Sequence, residues 1–241
     1  MALKTITYHN GDFGISYEIS NQNCEKNLII LHGWGSNKRI MQQSFGAFFQ
    51  DFCHIYIDLP GFGNSSPIPF ALKTSDYVEI IKLFLDSIHK KADCIMGHSF
   101  GGKIGVLLHP KTLILLSSAG ILTQKSLKVR SKIALTKMLN KILPNASKKL
   151  KSLLRSSDVA NMDENMYATF KNVVDEDFSE IFANFDNQAY IFWGKEDFTT
   201  PLSSGEKIHN LIKDSKFLAL SGNHFFFVGK GKAIQDFYNK N

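Results

Sequence analysis

Residues 94–102 read Cys94-Ile95-Met96-Gly97-His98-Ser99-Phe100-Gly101-Gly102. A short apolar run breaks at a G-x-S-x-G turn, and the pattern from Gly101 to Leu108 continues as a helix. A strand-to-helix turn this sharp requires neighbours two positions from the serine that nearly lack side chains, and Gly97 and Gly101 meet that requirement. In return the Ser99 hydroxyl stands clear at the end of a sheet, next to a helix N-terminus that favours negative charge. The plain alternative is an ordinary glycine-rich turn, so the reading depends on what surrounds it.

Working outward, five more runs of four apolar or aromatic residues punctuate the chain. They are Leu28–Leu31, His54–Ile57, Leu113–Leu116, Tyr190–Trp193 and Phe217–Leu220, each followed by a turn residue at once or within a few positions. Continuous short runs of this kind read as strands buried on both faces, as in a parallel sheet. Between them Tyr77, Ile80, Ile81, Phe84, Leu85 and Ile88 keep the spacing of one helical face, with Asp76 and Glu79 as a candidate capping box. A further helix is expected over Pro201–Ile212. Thr5–Tyr8 and Ile15–Ile19, separated by Gly11 and Gly14, suggest an antiparallel edge hairpin. The fold expected is α/β: a mostly parallel, doubly wound sheet with an N-terminal antiparallel hairpin and a helical insertion.

A serine hydroxyl is a weak nucleophile and needs a base held by a third group. Asp197 follows the run ending at Trp193, and His224 follows the run ending at Leu220. Ser, Asp and His in that chain order, each just past a strand, can converge on one edge of the sheet. Glu196 is the rival acid. The anion formed when Ser99 attacks a carbonyl needs donors in place beforehand, and the backbone N–H groups of Phe100 and Trp34 are the candidates. Gly33 lets that backbone approach closely. Gly33, Phe62, His98 and Phe225 are expected to contact substrate.

Leu31-His32-Gly33-Trp34-Gly35, Asp58-Leu59-Pro60-Gly61-Phe62-Gly63-Asn64-Ser65, Gly97-His98-Ser99-Phe100-Gly101-Gly102, Asp197 and His224 together resemble the serine hydrolases of the α/β-hydrolase fold. The resemblance covers about residues 28–118 and 187–241. Within that family the motifs are similar to pimeloyl-acyl-carrier-protein methyl ester esterases, small carboxylesterases and the carbon–carbon bond hydrolases of meta-cleavage pathways. The last group usually carries an extra glycine-rich turn after His-Gly, where this chain has Ser36-Asn37-Lys38. The resemblance implies cleavage of a small-molecule carboxylic ester through an acyl-enzyme, with no cofactor. Carbon–carbon hydrolysis of a vinylogous diketone and a binding module without activity are the alternatives.

Composition fits this reading. The chain has 241 residues, 44% hydrophobic and 21% charged, which suits a folded domain rather than a disordered chain. Three cysteines make no disulfide framework, and Cys53 and Cys94 lie in apolar runs, as expected of buried thiols in a reducing compartment. The start has no signal-like apolar segment and no run approaches the length of a membrane helix, so a cytoplasmic protein is expected. The eight histidines show no metal-ligand spacing, and no phosphate-cradling loop occurs. The expected metal content is none. Gly229-Lys230-Gly231-Lys232 reads as a solvated turn and Asp175-Glu176-Asp177 as a wet charge run.

The formal charge of +6 is unevenly spread. Residues 121–155 contain ten Lys or Arg and no Asp or Glu, leaving the rest of the chain at −4. The expected organisation is a core of residues 1–120 and 187–241 with a helical lid over 121–186. The lid's basic part could dock an acidic acyl carrier protein. Nucleic acid is not expected, because no aromatic residues interleave with the charge to form a basic groove.

Overall fold

The computed structural model describes residues 2–122 and 162–241. Eight strands form one sheet: β1 (Ala2–Tyr8), β2 (Gly11–Ser20), β3 (Lys26–Leu31), β4 (Phe52–Ile57), β5 (Cys94–His98), β6 (Thr112–Leu116), β7 (Gln188–Gly194) and β8 (Ser215–Leu220). Their order across the sheet is β1-β2-β4-β3-β5-β6-β7-β8. β2 pairs antiparallel with both β1 and β4, and every later pairing is parallel. All six apolar runs and the N-terminal hairpin are therefore where the sequence puts them.

The apolar runs are continuous because each strand serves two cores. In β3, Ile29 and Leu31 face one core while Leu28 and Ile30 face the other. β6 divides Leu113 and Leu115 from Ile114 and Leu116 in the same way. Alternation along a pleated strand sends successive side chains to opposite faces, so a sheet covered on both sides needs no polar positions.

Helix α2 (Thr74–Ser87) covers one face through Tyr77, Ile80, Ile81, Phe84 and Leu85. The capping box expected from Asp76 and Glu79 is shifted: Lys73 is the N-cap, and Asp76 is the third helical residue. The Asp76 carboxylate accepts the Lys73 N–H at 2.7 Å. A lysine side chain offers no acceptor in return, so only half the box forms. The same face carries α3 (Phe100–Leu107), α4 (Glu164–Val173), α5 (Ser179–Ala183) and α6 (Leu202–Leu211).

The opposite face is covered by α1 (Lys38–Phe45) and α7 (Gly231–Lys240), through Met41, Phe45 and Ile234. The expected solvated turn at 229–232 needs correction. Gly229 does turn, with φ +73°, but Gly231 opens α7 and is buried against Phe48. The basic run from Lys125 to Arg155 and the acyl-carrier docking surface expected there lie outside the described residues.

A buried ion pair fixes the loop after β4. Asp58 and Lys38 are both buried, and Lys38 Nζ lies 2.6 Å from Asp58 Oδ2. The same carboxylate accepts the Lys38 and Asn64 N–H groups at 2.7 and 2.9 Å. Three donors reach the carboxylate, one of them charged, which keeps such a buried charge tolerable. The Asp58-to-Ser65 motif thus locks the loop next to the β3 turn.

Candidate active site

Ser99 stands between β5 and α3 with φ 50° and ψ −112°. A side chain in this region stores about 1–3 kcal/mol of strain. The surrounding hydrogen bonds hold it there: Ser99 N–H donates to Leu116 O at 3.1 Å, and Ser99 O accepts from the N–H groups of Gly102 and Ala119 at 3.0 Å each. A Cβ on Gly97 would lie 2.7 Å from Gly102 Cα, and one on Gly101 would lie 2.7 Å from the carbonyl oxygens of Leu31 and His32. The glycines are needed so that α3 can pack this closely on β3 and β5.

Asp197 and His224 lie on the loops after β7 and β8, as expected. His224 Nδ1 is 2.8 Å from Asp197 Oδ2. Asp197 also accepts the N–H groups of Thr199 and Thr200 at 2.8 and 3.0 Å, and the Thr200 hydroxyl at 2.9 Å. Burial alone would raise the Asp197 pKa. The hydrogen bonds from His224 and Thr200 outweigh it and hold the carboxyl at about 2. An ionised carboxylate only accepts, so the proton between the two residues sits on Nδ1 and the Nε2 lone pair of His224 is left free.

The rival acid has a different task. The Glu196 carboxylate accepts the Gly222 N–H, and Glu196 N–H donates to Gly222 O at 3.0 Å. It staples the β7 loop to the β8 loop. Gly194 allows this, since a Cβ there would strike the carbonyl oxygens of Gly222 and Asn223.

Ser99 and His224 line one cavity of about 490 Å³ together with Trp34, Phe100, Phe170 and Phe225. Among the described residues no hydrogen bond joins the Ser99 hydroxyl to the imidazole, although such bonds often tighten only when substrate is bound. The backbone N–H groups of Trp34 and Phe100 have no acceptor among the described residues. Both belong to segments adjoining Ser99. A Cβ on Gly33 would lie 3.1 Å from Ser99 Cβ, so the β3 turn can approach the elbow only with glycine there.

Three expected substrate contacts lie behind the cavity wall. Phe62 is buried and packs edge-on against Trp34 and His32, with ring centroids 4.8 and 5.7 Å apart. Gly33 is covered by His98 and Ser99. His98 is 1% exposed, and its Nε2 donates to His224 O at 2.9 Å. Phe225 does line the cavity and is 40% exposed.

His32 in the β3 turn is also buried. Its Nδ1 donates to Gly33 O at 2.7 Å and its Nε2 accepts the Leu59 N–H at 3.0 Å. One donor and one acceptor fix a neutral tautomer, and burial lowers its pKa to about 4. The imidazole ties the β3 turn to the β4 loop.

A charged pair at the cavity was not apparent in the sequence. Lys103, on the first turn of α3, is buried with Nζ 2.5 Å from Glu176 Oε2 and 2.6 Å from Val173 O. Thr74 Oγ1 donates to the same Glu176 oxygen at 2.5 Å. Burial lowers the Lys103 pKa, and Glu176 opposes that shift. Glu176 therefore belongs to the cavity and not to a fully wet run; Asp175 is exposed but also lines the cavity, and Asp177 is exposed. The run of three acids at 175–177 gave no sign that one would pair with a buried lysine.

Among the described residues no group of three His, Cys, Asp or Glu could hold a metal ion. No described helix is long and apolar enough to cross a membrane.

A model of the alpha/beta hydrolase family matches residues 28–209. The chain is 34% identical over 86 residues to the 2-succinyl-6-hydroxy-2,4-cyclohexadiene-1-carboxylate synthase of Citrobacter koseri, covering 36% of this chain and 33% of that one. It is 35% identical over 77 residues to the pimeloyl-[acyl-carrier protein] methyl ester esterase of Vibrio parahaemolyticus, covering 32% and 28%. The chain thus spans about a third of the length of these curated relatives. A thermophilic esterase from Thermogutta terrifontis superposes with a TM-score of 0.72 at 13% identity, over 100% of this chain and 98% of that one. With the matched model spanning both the serine elbow and Asp197, the chain belongs to the alpha/beta hydrolase family.

Proposed function

We propose that this protein hydrolyses carboxylic esters with Ser99 as nucleophile, His224 as general base and acid, and Asp197 as its orienting partner. The observation that carries the reading is the 2.8 Å contact from His224 Nδ1 to Asp197 Oδ2, which leaves Nε2 free on a cavity that Ser99 shares. His224 Nε2 takes the Ser99 proton as Oγ bonds to the ester carbonyl carbon. The N–H groups of Phe100 and Trp34 hold the negative oxygen that results. His224 then delivers the proton to the departing alkoxide, and the alcohol leaves an acyl group on Ser99. A water molecule, deprotonated by the same nitrogen, attacks that acyl group. Collapse releases the carboxylic acid and returns the proton to Ser99.

The aromatic wall of Trp34, Phe100, Phe170 and Phe225 supports an apolar acyl or alcohol group. The name of the Vibrio relative brings in a narrower version, in which the acyl group is borne on a carrier protein. Two measurements test the proposal together: rates on p-nitrophenyl esters from two to twelve acyl carbons, and labelling by a fluorophosphonate. Hydrolysis accompanied by labelling at Ser99 is expected, and absence of both overturns the proposal. Faster turnover of a carrier-bound than a free acyl methyl ester would favour the narrower version.

The two neighbouring acids separate cleanly under this reading. Asp197→Asn is expected to lower kcat by about 10⁴, because the amide presents a donor to Nδ1 and turns the imidazole to the wrong tautomer. Glu196→Gln keeps an acceptor for the Gly222 N–H and is expected to stay within about threefold of wild type. Equal losses in the two variants would remove Asp197 from its role.

A further inference from the structure

His98 precedes the proposed nucleophile, yet it does not reach the cavity. It is 1% exposed, and its ring packs against the rings of His224, Phe225 and Phe227 at centroid distances of 4.7, 5.0 and 4.8 Å. Its Nε2–H donates to the His224 carbonyl at 2.9 Å across 126 residues of sequence. Its other nitrogen, Nδ1, is buried and has no partner among the described residues. A buried polar atom left unpaired is destabilising, so a phenyl ring would suit this pocket better on stability grounds alone.

The geometry points to His98 as a positioning residue, whose Nε2–H holds the backbone of His224 at the height where its imidazole meets both Asp197 and Ser99. The inference rests on the ester-hydrolase reading for its kinetic consequence, though the hydrogen bond itself does not.

The loop after β8 is held from two sides. Towards β7 it is stapled by Glu196, by the 3.0 Å bond from Glu196 N–H to Gly222 O, and by Lys195 N–H to Leu220 O at 2.9 Å. Those bonds reach Leu220 and Gly222 and hold the start of the loop beside β7. They leave the position of His224 itself unset. The link from His98 on β5 supplies it, since residue 98 is covalently joined to Ser99. A neutral imidazole can make this bond at any working pH, because burial keeps His98 uncharged, with a pKa of about 3. Gly33 belongs to the same arrangement, since a Cβ there would lie 2.8 Å from His98 Nδ1 and push the ring off its seat.

The test compares His98→Phe, which keeps the ring and loses the donor, with His98→Gln, whose amide nitrogen reaches about as far from Cβ as Nε2 does. His98→Phe is expected to lower kcat about 10- to 100-fold, as a displacement near 1 Å does elsewhere, with KM within about threefold and an unchanged or higher melting temperature. His98→Gln is expected to recover most of the lost kcat. A second readout needs no turnover: the far-downfield proton resonance of the His224 Nδ1–H bonded to Asp197 should be present in wild type and His98→Gln and lost in His98→Phe. A His98→Phe variant that keeps both kcat and this resonance overturns the inference, as does a glutamine variant no better than phenylalanine. A wild type that neither labels nor hydrolyses would overturn the ester-hydrolase reading instead, and the resonance would still decide the role of His98.

Discussion

Ser99→Ala is expected to lower kcat for p-nitrophenyl ester hydrolysis by about 10⁶. Loss of a serine nucleophile costs about that much where donors for the oxyanion and the binding site remain, and these leave about 10³–10⁴ over water. Folding should be undisturbed, because the elbow is held by main-chain bonds to Leu116, Gly102 and Ala119 and by the close approach of α3, none of which involves the hydroxyl. Ser99→Gly gives a sharper version. It should be equally inactive, yet as stable as wild type or more so. Relief of about 1–3 kcal/mol of strain at φ 50° exceeds the roughly 0.5–1 kcal/mol that glycine loses through its freer unfolded chain. Kinetics and thermal melts on the same samples check both halves. Retention of the wild-type rate in either variant would remove Ser99 from the reaction.

Stability is expected to fall steeply between pH 6.5 and 4, well above the range where most proteins lose their carboxylate bonds. His32 and His98 are buried and uncharged, and burial lowers their pKa values from 6.5 to about 4 and about 3. Below 6.5 the unfolded chain takes up protons that the folded one refuses, so folding weakens as pH falls. Each imidazole contributes about 1.4 kcal/mol per pH unit until its folded value is reached. Together they weaken folding progressively as pH falls towards 4. His54 adds to the trend, since burial lowers its pKa as well. Asp197 works in the same sense but in a lower window: its stabilisation is complete above its unfolded value near 3.8 and is lost as pH falls through about 2. Urea titrations at pH 7, 6 and 5 measure the slope. His98→Gln should reduce it by about 1 kcal/mol per unit over this range, in which the unfolded imidazole is still titrating. A midpoint that is flat from pH 7 to 5 would contradict the account.

The strands were legible because burial on both faces removes every polar position from them, as in Leu28–Leu31 and Leu113–Leu116. The positions of Ser99, Asp197 and His224 were legible for a related reason: each follows such a run, and parallel strands present their carboxyl ends on one edge. The helices α1 and α7 were not, since each buries few apolar residues and α1 mixes buried Lys38 and Ser44 with Met41 and Phe45. The pairing of Lys103 with Glu176 depends on where α4 and its following turn return to α3, and no local pattern records that. That His98, Gly33 and Phe62 pack behind the cavity lining was not legible. Adjacency in a motif identifies the region of a site, whereas which side of the wall a ring occupies is decided by packing.

The placement of β2 carries a consequence for behaviour at high concentration. An unfinished parallel sheet would leave β4 at its margin with a free row of amide and carbonyl groups, ready to recruit a foreign segment. Here β2 occupies that margin, running opposite to its neighbour, and is itself capped by β1. The first twenty residues thus carry the sheet's open margin outward from β4 to β1, away from the strand that borders the candidate site's loops.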